Sequence, residues 1–162
     1  MSLRPRGAIG RGLTALSNGG RTKASVLLDT NAIIRSQLDR DFGAEAREAI
    51  NAAQRENGIL VSVVSAREIG LLARNRQSPT GRLFQPDAET WFDNVMRAPG
   101  VRMAPMSHQI AFAAWNLPDP IHGDPADRLM IAIARELDVP LITRDRAILD
   151  YAAAGHVRAI AC

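Results

Sequence analysis

Short apolar segments alternate with helical segments along the body of this chain, and this alternation limits the fold more than any other feature. Helical patterns fill the intervals between the apolar segments, as in Phe42–Glu56, where alanine and isoleucine recur with helical spacing. The predicted strands are Ser25–Leu28, Ile59–Val64, Val101–Ala104, Val139–Thr143 and Val157–Ile160. Strands separated by helices predict an α/β fold, with a parallel sheet and helices on both of its faces.

Composition limits the setting in which such a domain works. The chain has 162 residues, of which 46% are hydrophobic, so one domain with a substantial core is expected. No apolar run approaches the roughly 20 residues that a membrane-spanning helix needs, and no signal peptide is recognisable. The single cysteine, Cys162, excludes an internal disulfide and a cysteine-based zinc site. These features together predict a cytoplasmic protein without a membrane segment.

The formal net charge of +3 is concentrated at the N-terminus. Residues 1–23 carry four arginines and the only lysine, Lys23, and no acidic residue, which leaves 15 basic against 17 acidic residues in the body. We expect residues 1–23 to be a disordered basic tail or residues before the true start, with an RNA-contacting arm as the alternative, and residues 24–162 to be the folded domain. Phosphate binding by the body must then come from local clusters or from metal ions.

Four acidic residues from separate segments are expected at the carboxyl edge of the sheet. Asp29 directly follows the first strand and Asp145 the fourth, while Glu68 and Asp127 lie near the starts of two helices that face the same edge. Clustered carboxylates disfavour joint ionisation unless a cation compensates their charge. Their oxygens suit Mg²⁺ or Mn²⁺, which commonly serve phosphodiester cleavage.

Each of the four acidic residues also has a purely structural interpretation. Asp29 could cap a helix that begins directly after it, and Asp145 could be a turn residue. Glu68 could be the capping-box partner of Ser65, and Asp127 could only interact with the helix dipole. A fifth acidic residue, Asp124, is best explained as a helix N-cap.

Two other classes of acidic site fit less well. A receiver or phosphotransfer domain needs a lysine after a late strand, and the only lysine is Lys23. A haloacid-dehalogenase-type phosphatase needs two aspartates one residue apart after the first strand, whereas here the sequence is Asp29-Thr30-Asn31. The three histidines are isolated, so zinc is not expected either.

The segments LLDTNAII, AREAI, VSVVSAREIGLLARN, GRL and DPADRLMIAIARELDVPLITRD occur in an order that resembles the PIN domain. Within that family, the chain is similar to the VapC-like toxins of type II toxin–antitoxin systems. The last segment is the most specific, including the 18-residue step from Asp127 to Asp145. The resemblance covers residues 24–162. One departure is Arg67, since the family often has an aromatic residue before the glutamate.

The resemblance implies a three-layer PIN-like fold with strand order 3-2-1-4-5 and a Mg²⁺- or Mn²⁺-dependent endoribonuclease activity. The catalytic, metal-binding positions that carry over are Asp29, Glu68, Asp127 and Asp145. The resemblance places Asn31, Ser65 and Thr143 as polar residues that support them, and Asp124, from its position as a helix N-cap, is expected to be a further supporting residue.

The resemblance also implies partners: an RNA substrate, a small antitoxin whose tail enters the acidic groove, and a second copy of the chain in a homodimer. The alternative is a non-catalytic PIN-fold module that binds RNA or a protein partner. The presence of all four acidic residues favours the enzyme.

Overall fold

Five short parallel strands form one sheet in the computed structural model, which describes residues 24–38, 41–121 and 123–162. The strands are β1 Val26–Leu28, β2 Ile59–Val61, β3 Val101–Met103, β4 Leu141–Thr143 and β5 Ala159–Ala161. Their order is β3-β2-β1-β4-β5, and Leu27 is paired with both Leu60 and Leu141. The predicted order 3-2-1-4-5 is therefore confirmed. The predicted tail, residues 1–23, lies outside the described residues.

Seven α-helices connect and cover these strands within the same described ranges. They are α1 Thr30–Gln37, α2 Ala44–Arg55, α3 Val63–Arg74, α4 Ala88–Met96, α5 His108–Trp115, α6 Pro125–Glu136 and α7 Arg146–Ala153, with a short 3₁₀ turn at Gly81–Leu83. Six of the helices begin after a side chain that accepts a hydrogen bond from a backbone N–H of the first turn. Such caps satisfy amide groups that have no partner within the helix.

The start of α3 corrects the sequence prediction, which placed a strand through Val64 and the helix cap at Ser65. The strand β2 ends at Val61, and Ser62 is the cap, its Oγ accepting from the Val64 N–H at 3.1 Å. Valine has a high propensity for extended backbone, and this explains why a strand was predicted through the two valines after Ser62. The serine cap and burial of Val64 in the core nevertheless begin the helix there. The predicted capping box of Ser65 with Glu68 is therefore wrong.

The core is divided between the two faces of the sheet, because neighbouring residues of a strand point to opposite sides. In β1, Leu27 joins one apolar cluster while Val26 and Leu28 join the other. The first cluster is covered mainly by α5, α6 and α7, and the second by α1, α2, α3 and α4. This arrangement confirms the predicted three-layer α/β fold. In the described part of the chain, no helix is both long enough and apolar enough to cross a membrane.

Candidate functional site

The carboxyl ends of β1 and β4 lie side by side and bring two of the predicted acidic residues to one place. Leu28 is paired with Ile142, and the Asp29 N–H donates to the Ile142 carbonyl at 3.1 Å. Asp29 caps α1, and Asp145 caps α7 by accepting from the Ile148 N–H at 3.1 Å. Both acidic residues therefore lie at the carboxyl edge of the sheet, next to its central strands, where ligands of parallel α/β proteins bind.

Both carboxylate oxygens of Asp29 accept hydrogen bonds that fix the position of the side chain. Its side chain is buried, with the residue 7% exposed. Oδ1 accepts from the Ala32 N–H at 2.6 Å, and Oδ2 accepts from the Thr143 hydroxyl. The Thr143 hydroxyl oxygen in turn accepts from the Asp145 N–H at 2.9 Å. The fully buried Thr143 thus connects the two acidic residues that follow the central strands.

Electrostatic interactions add Glu68 to this group. Burial raises the pKa of Asp29 above its ordinary value of 3.8, and the Glu68 and Asp145 carboxylates raise it further. The hydrogen bonds from Thr143 and Ala32 act in the opposite direction but do not cancel the increase. A carboxylate in this position is stabilised in its ionised form by a nearby cation.

Glu68 is positioned by a residue that the sequence interpretation did not select. Thr30, directly after Asp29, hydrogen-bonds to Glu68 Oε2, and its hydroxyl lies 3.0 Å from Ser65 Oγ. Ser65 is completely buried inside α3, one helical turn before Glu68. Ser65 is therefore linked to Glu68 through Thr30 and is not the helix cap. The position of Thr30 beside the acidic residue in LLDT was the available sequence signal.

Asp124 and Asp127 lie at the N-terminus of α6. Asp124 caps this helix, accepting from the Ala126 N–H at 2.8 Å and the Asp127 N–H at 3.3 Å. The predicted capping role of Asp124 is thus observed. Because α6 leads into the start of β4, its own N-terminus faces the carboxyl edge of the sheet. Asp124 and Glu68 line one cleft at that edge, and Asp127 follows in the first turn of the helix.

Two clefts open on either side of this edge, and the exposed Asn31 lines both. The first has a volume of about 810 Å³ and includes Thr30, Glu68 and Asp124. The second has a volume of about 670 Å³ and includes Asp145. Asn31 is therefore shared by the cleft that contains Glu68 and the cleft that contains Asp145.

The donor chemistry of this edge fits a hard divalent cation such as Mg²⁺ or Mn²⁺, because carboxylate oxygens are the ligands that these ions prefer. The buried Asp29, with two further carboxylates close enough to raise its pKa, is the observation that supports this fit. Within residues 24–38, 41–121 and 123–162, no three His, Cys, Asp or Glu side chains converge as metal ligands. The site therefore fits such a cation by the type of its ligand atoms and by the closeness of its carboxylates, and not by a complete set of converging ligands among the described residues.

The fold and site together define an α/β protein with an acidic sheet edge. The family model of the PIN domain matches residues 26–154, so the chain belongs to the PIN domain family. This confirms the family resemblance of the sequence motifs. A comparison with curated proteins found no match.

Solved structures with the same fold come from several bacteria. VapBC2 from Rickettsia felis, bound to a DNA fragment from the promoter, matches with a TM-score of 0.60 and 14% identity, over 84% of this chain and 97% of that chain. DNA-bound VapBC from Salmonella typhimurium matches with a TM-score of 0.56 and 14% identity, over 85% and 97%. FitAcB from Neisseria gonorrhoeae matches with a TM-score of 0.52 and 18% identity, over 83% and 96%. At these identities the likeness establishes the fold.

Proposed function

We propose that this protein is a metal-dependent endoribonuclease that hydrolyses RNA phosphodiester bonds. The observation that carries the proposal is the buried Asp29 carboxylate, whose pKa is raised by burial and by the neighbouring Glu68 and Asp145. Such a group is costly to keep ionised without a cation, which makes the sheet edge suited to one. Membership of the PIN domain family, whose members are generally nucleases, supports the same reaction class.

The residues proposed to hold Mg²⁺ or Mn²⁺ and to form the catalytic site are Asp29, Glu68, Asp127 and Asp145. When bound, the cation supplies Lewis acidity toward the phosphate and lowers the pKa of a water molecule. The protein contributes a fixed orientation of the carboxylates that would hold the cation. Thr143 and the Ala32 N–H fix the orientation of the Asp29 carboxylate, and Thr30 fixes one oxygen of Glu68. Preoriented ligands of this kind are what a catalytic metal site requires.

The proposal is tested by incubating the purified protein with single-stranded RNA in Mn²⁺, in Mg²⁺ and in EDTA. We expect cleavage only with a divalent ion, and a loss of at least about 10- to 100-fold in Asp29→Asn and in Asp127→Asn. The matched control is Asp93→Asn, because Asp93 is an exposed aspartate on α4. If Asp29→Asn cuts as fast as the unmodified protein, the catalytic proposal fails. RNA binding without any cleavage would favour the non-catalytic binding module.

We further propose that the protein is the toxin of a type II toxin–antitoxin pair. The structural likeness to two VapBC complexes supports this assignment. The cleft that contains Glu68 and Asp124 is suited to a basic side chain of an antitoxin tail, because charge-assisted hydrogen bonds to carboxylates are strong. Expression of the chain alone should arrest bacterial growth, and Asp29→Asn should not. Normal growth with active protein present would contradict the toxin assignment. Such a toxin would act in the cytoplasm.

A homodimer is proposed on the basis of two exposed aromatic residues of α5. Phe112 and Trp115 are 67% and 78% exposed, which is unusual for large apolar side chains outside a contact surface. Light scattering after size-exclusion chromatography should give a dimer mass for the unmodified protein and a monomer mass for Trp115→Ser. A monomer mass for both proteins would contradict this part of the proposal.

A further inference from the structure

Three arginines surround the second cleft beside the acidic sheet edge. Arg35 projects from α1, Arg144 lies between β4 and α7, and Arg146 is the first residue of α7. Asp145 is the one acidic residue among the described residues that line this cleft, and Arg146 is also paired with the exposed Asp150 at 3.0 Å. The cleft is therefore locally basic, although the body of the protein is slightly acidic.

Contacts of the arginines indicate that they share one environment and are partly oriented. The Arg35 guanidinium donates to the Asp41 carbonyl and lies 6.0 Å from the centre of the Phe42 ring. Arg35 and Arg144 both act electrostatically on the Cys162 thiol, which places them around a common point. Arg144 and Arg146 are exposed, so their side chains remain accessible to a ligand in the cleft.

The first cleft has the opposite charge balance. It contains one arginine, Arg67, against the two acidic residues Glu68 and Asp124, and its other lining residues are largely apolar. A polyanion that approaches the sheet edge is therefore repelled on the Glu68 side and attracted on the arginine side. Because Asn31 lines both clefts and Asp145 lines the basic one, the basic cleft borders the acidic edge.

We propose that the cleft formed by Arg35, Arg144 and Arg146 binds the phosphate backbone of single-stranded RNA and delivers it to the acidic edge. This inference rests on the proposed ribonuclease function. Arginine presents a planar group of donors that matches phosphate oxygens in a bidentate manner. These residues are positioning residues, since they bind phosphates that flank the site of cleavage.

The cleft is also expected to bind without reading the bases. None of the described residues that line it is aromatic. Proteins that bind the bases of single-stranded nucleic acids use aromatic side chains on which the bases stack. Contacts limited to phosphates position the chain but carry no sequence information. Sequence preference, if the enzyme has one, must then arise elsewhere on the surface.

The test measures how RNA binding depends on salt, in EDTA so that no RNA is cut. The probe is a fluorescently labelled single-stranded RNA of mixed sequence, and the variant is Arg144→Gln with Arg146→Gln. Each phosphate contact contributes about 0.7 to the slope of log binding constant against log salt. We expect the slope to fall by about 1.4 in the double glutamine variant. Arg144→Lys with Arg146→Lys keeps both charges and should retain the slope of the unmodified protein.

The matched control is Arg55→Gln with Arg97→Gln, on α2 and at the end of α4. It removes the same charge, and it breaks the exposed Arg97–Asp93 pair just as the test variant breaks the exposed Arg146–Asp150 pair. Equal slopes for the two double variants would overturn the proposal. Equally tight, equally arginine-dependent binding of polyglutamate would also overturn it, in favour of an acidic protein segment. Failure of the ribonuclease proposal is distinguishable, because it appears as intact RNA in Mn²⁺ while this binding remains.

Discussion

Thr143 donates a hydrogen bond to Asp29 and so joins two residues that are 114 positions apart in the sequence. The same hydroxyl accepts from the Asp145 N–H, which makes one buried side chain responsible for the relative placement of two acidic residues. Thr143 is the last residue of β4, and Asp29 follows the last residue of β1. The pairing of these strands therefore sets the geometry of the candidate site.

The first prediction concerns this hydroxyl. Thr143→Val keeps the shape but leaves the buried Asp29 carboxylate and the Asp145 N–H without their partner. An unsatisfied buried group costs about 1–3 kcal/mol, so the free energy of unfolding should fall by that amount in urea titrations. Thr143→Ser, which keeps the hydroxyl, should lose less. Equal stability of the valine variant and the unmodified protein would contradict the importance of this hydrogen bond.

The second prediction concerns the pH dependence of stability in EDTA. Because the pKa of Asp29 is raised in the folded protein, the folded state binds this proton more tightly than the unfolded chain does. The resulting stabilisation is fully present below the ordinary pKa of 3.8 and is lost as the pH rises through the higher pKa of the folded state. Burial is the main cause of this shift.

Asp29→Asn removes this titration but keeps a residue that can cap α1. The stability of the unmodified protein relative to this variant should therefore decrease as the pH is raised from about 4 toward neutrality. Urea unfolding of both proteins across this range gives the difference directly. A difference that does not change with pH would show that Asp29 does not titrate as its surroundings predict.

The parallel sheet and the position of two acidic residues were predictable from local signals in the sequence, whereas the strand order was predicted from the family resemblance. Asp29 and Asp145 directly follow apolar strand segments, and parallel strands joined by helices end at one edge. The 18-residue step between Asp127 and Asp145 is likewise a property of one helix and the strand after it. In these cases the positions of the residues follow from the order in which strands and helices are connected along the chain.

Contacts between distant segments were not predictable in the same way. The start of α3 after Ser62 goes together with the burial of Val64 and the exposure of Val63, a difference that is set by packing between segments and is not visible in the local sequence. The hydrogen bond from Thr30 to Glu68 joins residues 38 positions apart. The basic cleft combines Arg35 with two arginines more than a hundred positions later, in a body whose bulk charge indicated no basic surface.

The third prediction separates the two serines of α3. Ser62→Ala removes the helix cap and should lower the free energy of unfolding by about 1 kcal/mol without changing Mn²⁺ affinity. Ser65→Ala removes the partner of Thr30 and should weaken Mn²⁺ binding by roughly 10-fold, because residues behind a metal ligand commonly have effects of this size. Urea titration and isothermal titration calorimetry measure the two quantities. The same Mn²⁺ affinity in both variants would contradict the role given to Ser65.

The last prediction uses Cys162 to test the placement of the arginine cleft without RNA. Burial raises the pKa of the Cys162 thiol to about 11, and the Asp29 carboxylate contributes to the increase, while Arg35 and Arg144 oppose it. At pH 8 only roughly one thiol in a thousand should be ionised, so iodoacetamide should react far more slowly with the native protein than in urea, where the thiol pKa is about 8.5.

Arg144→Gln removes one of the two positive charges near this thiol and should slow the native reaction further, by less than about 10-fold, which corresponds to less than one pKa unit. Arg55→Gln, at the end of α2, should leave the rate unchanged. The rates are measured between pH 7.5 and pH 10 by mass spectrometry of the alkylated chain. Identical rates for the two variants would mean that Arg144 does not reach the cleft beside Asp29, and the route proposed for the RNA backbone would lose one of its three contacts.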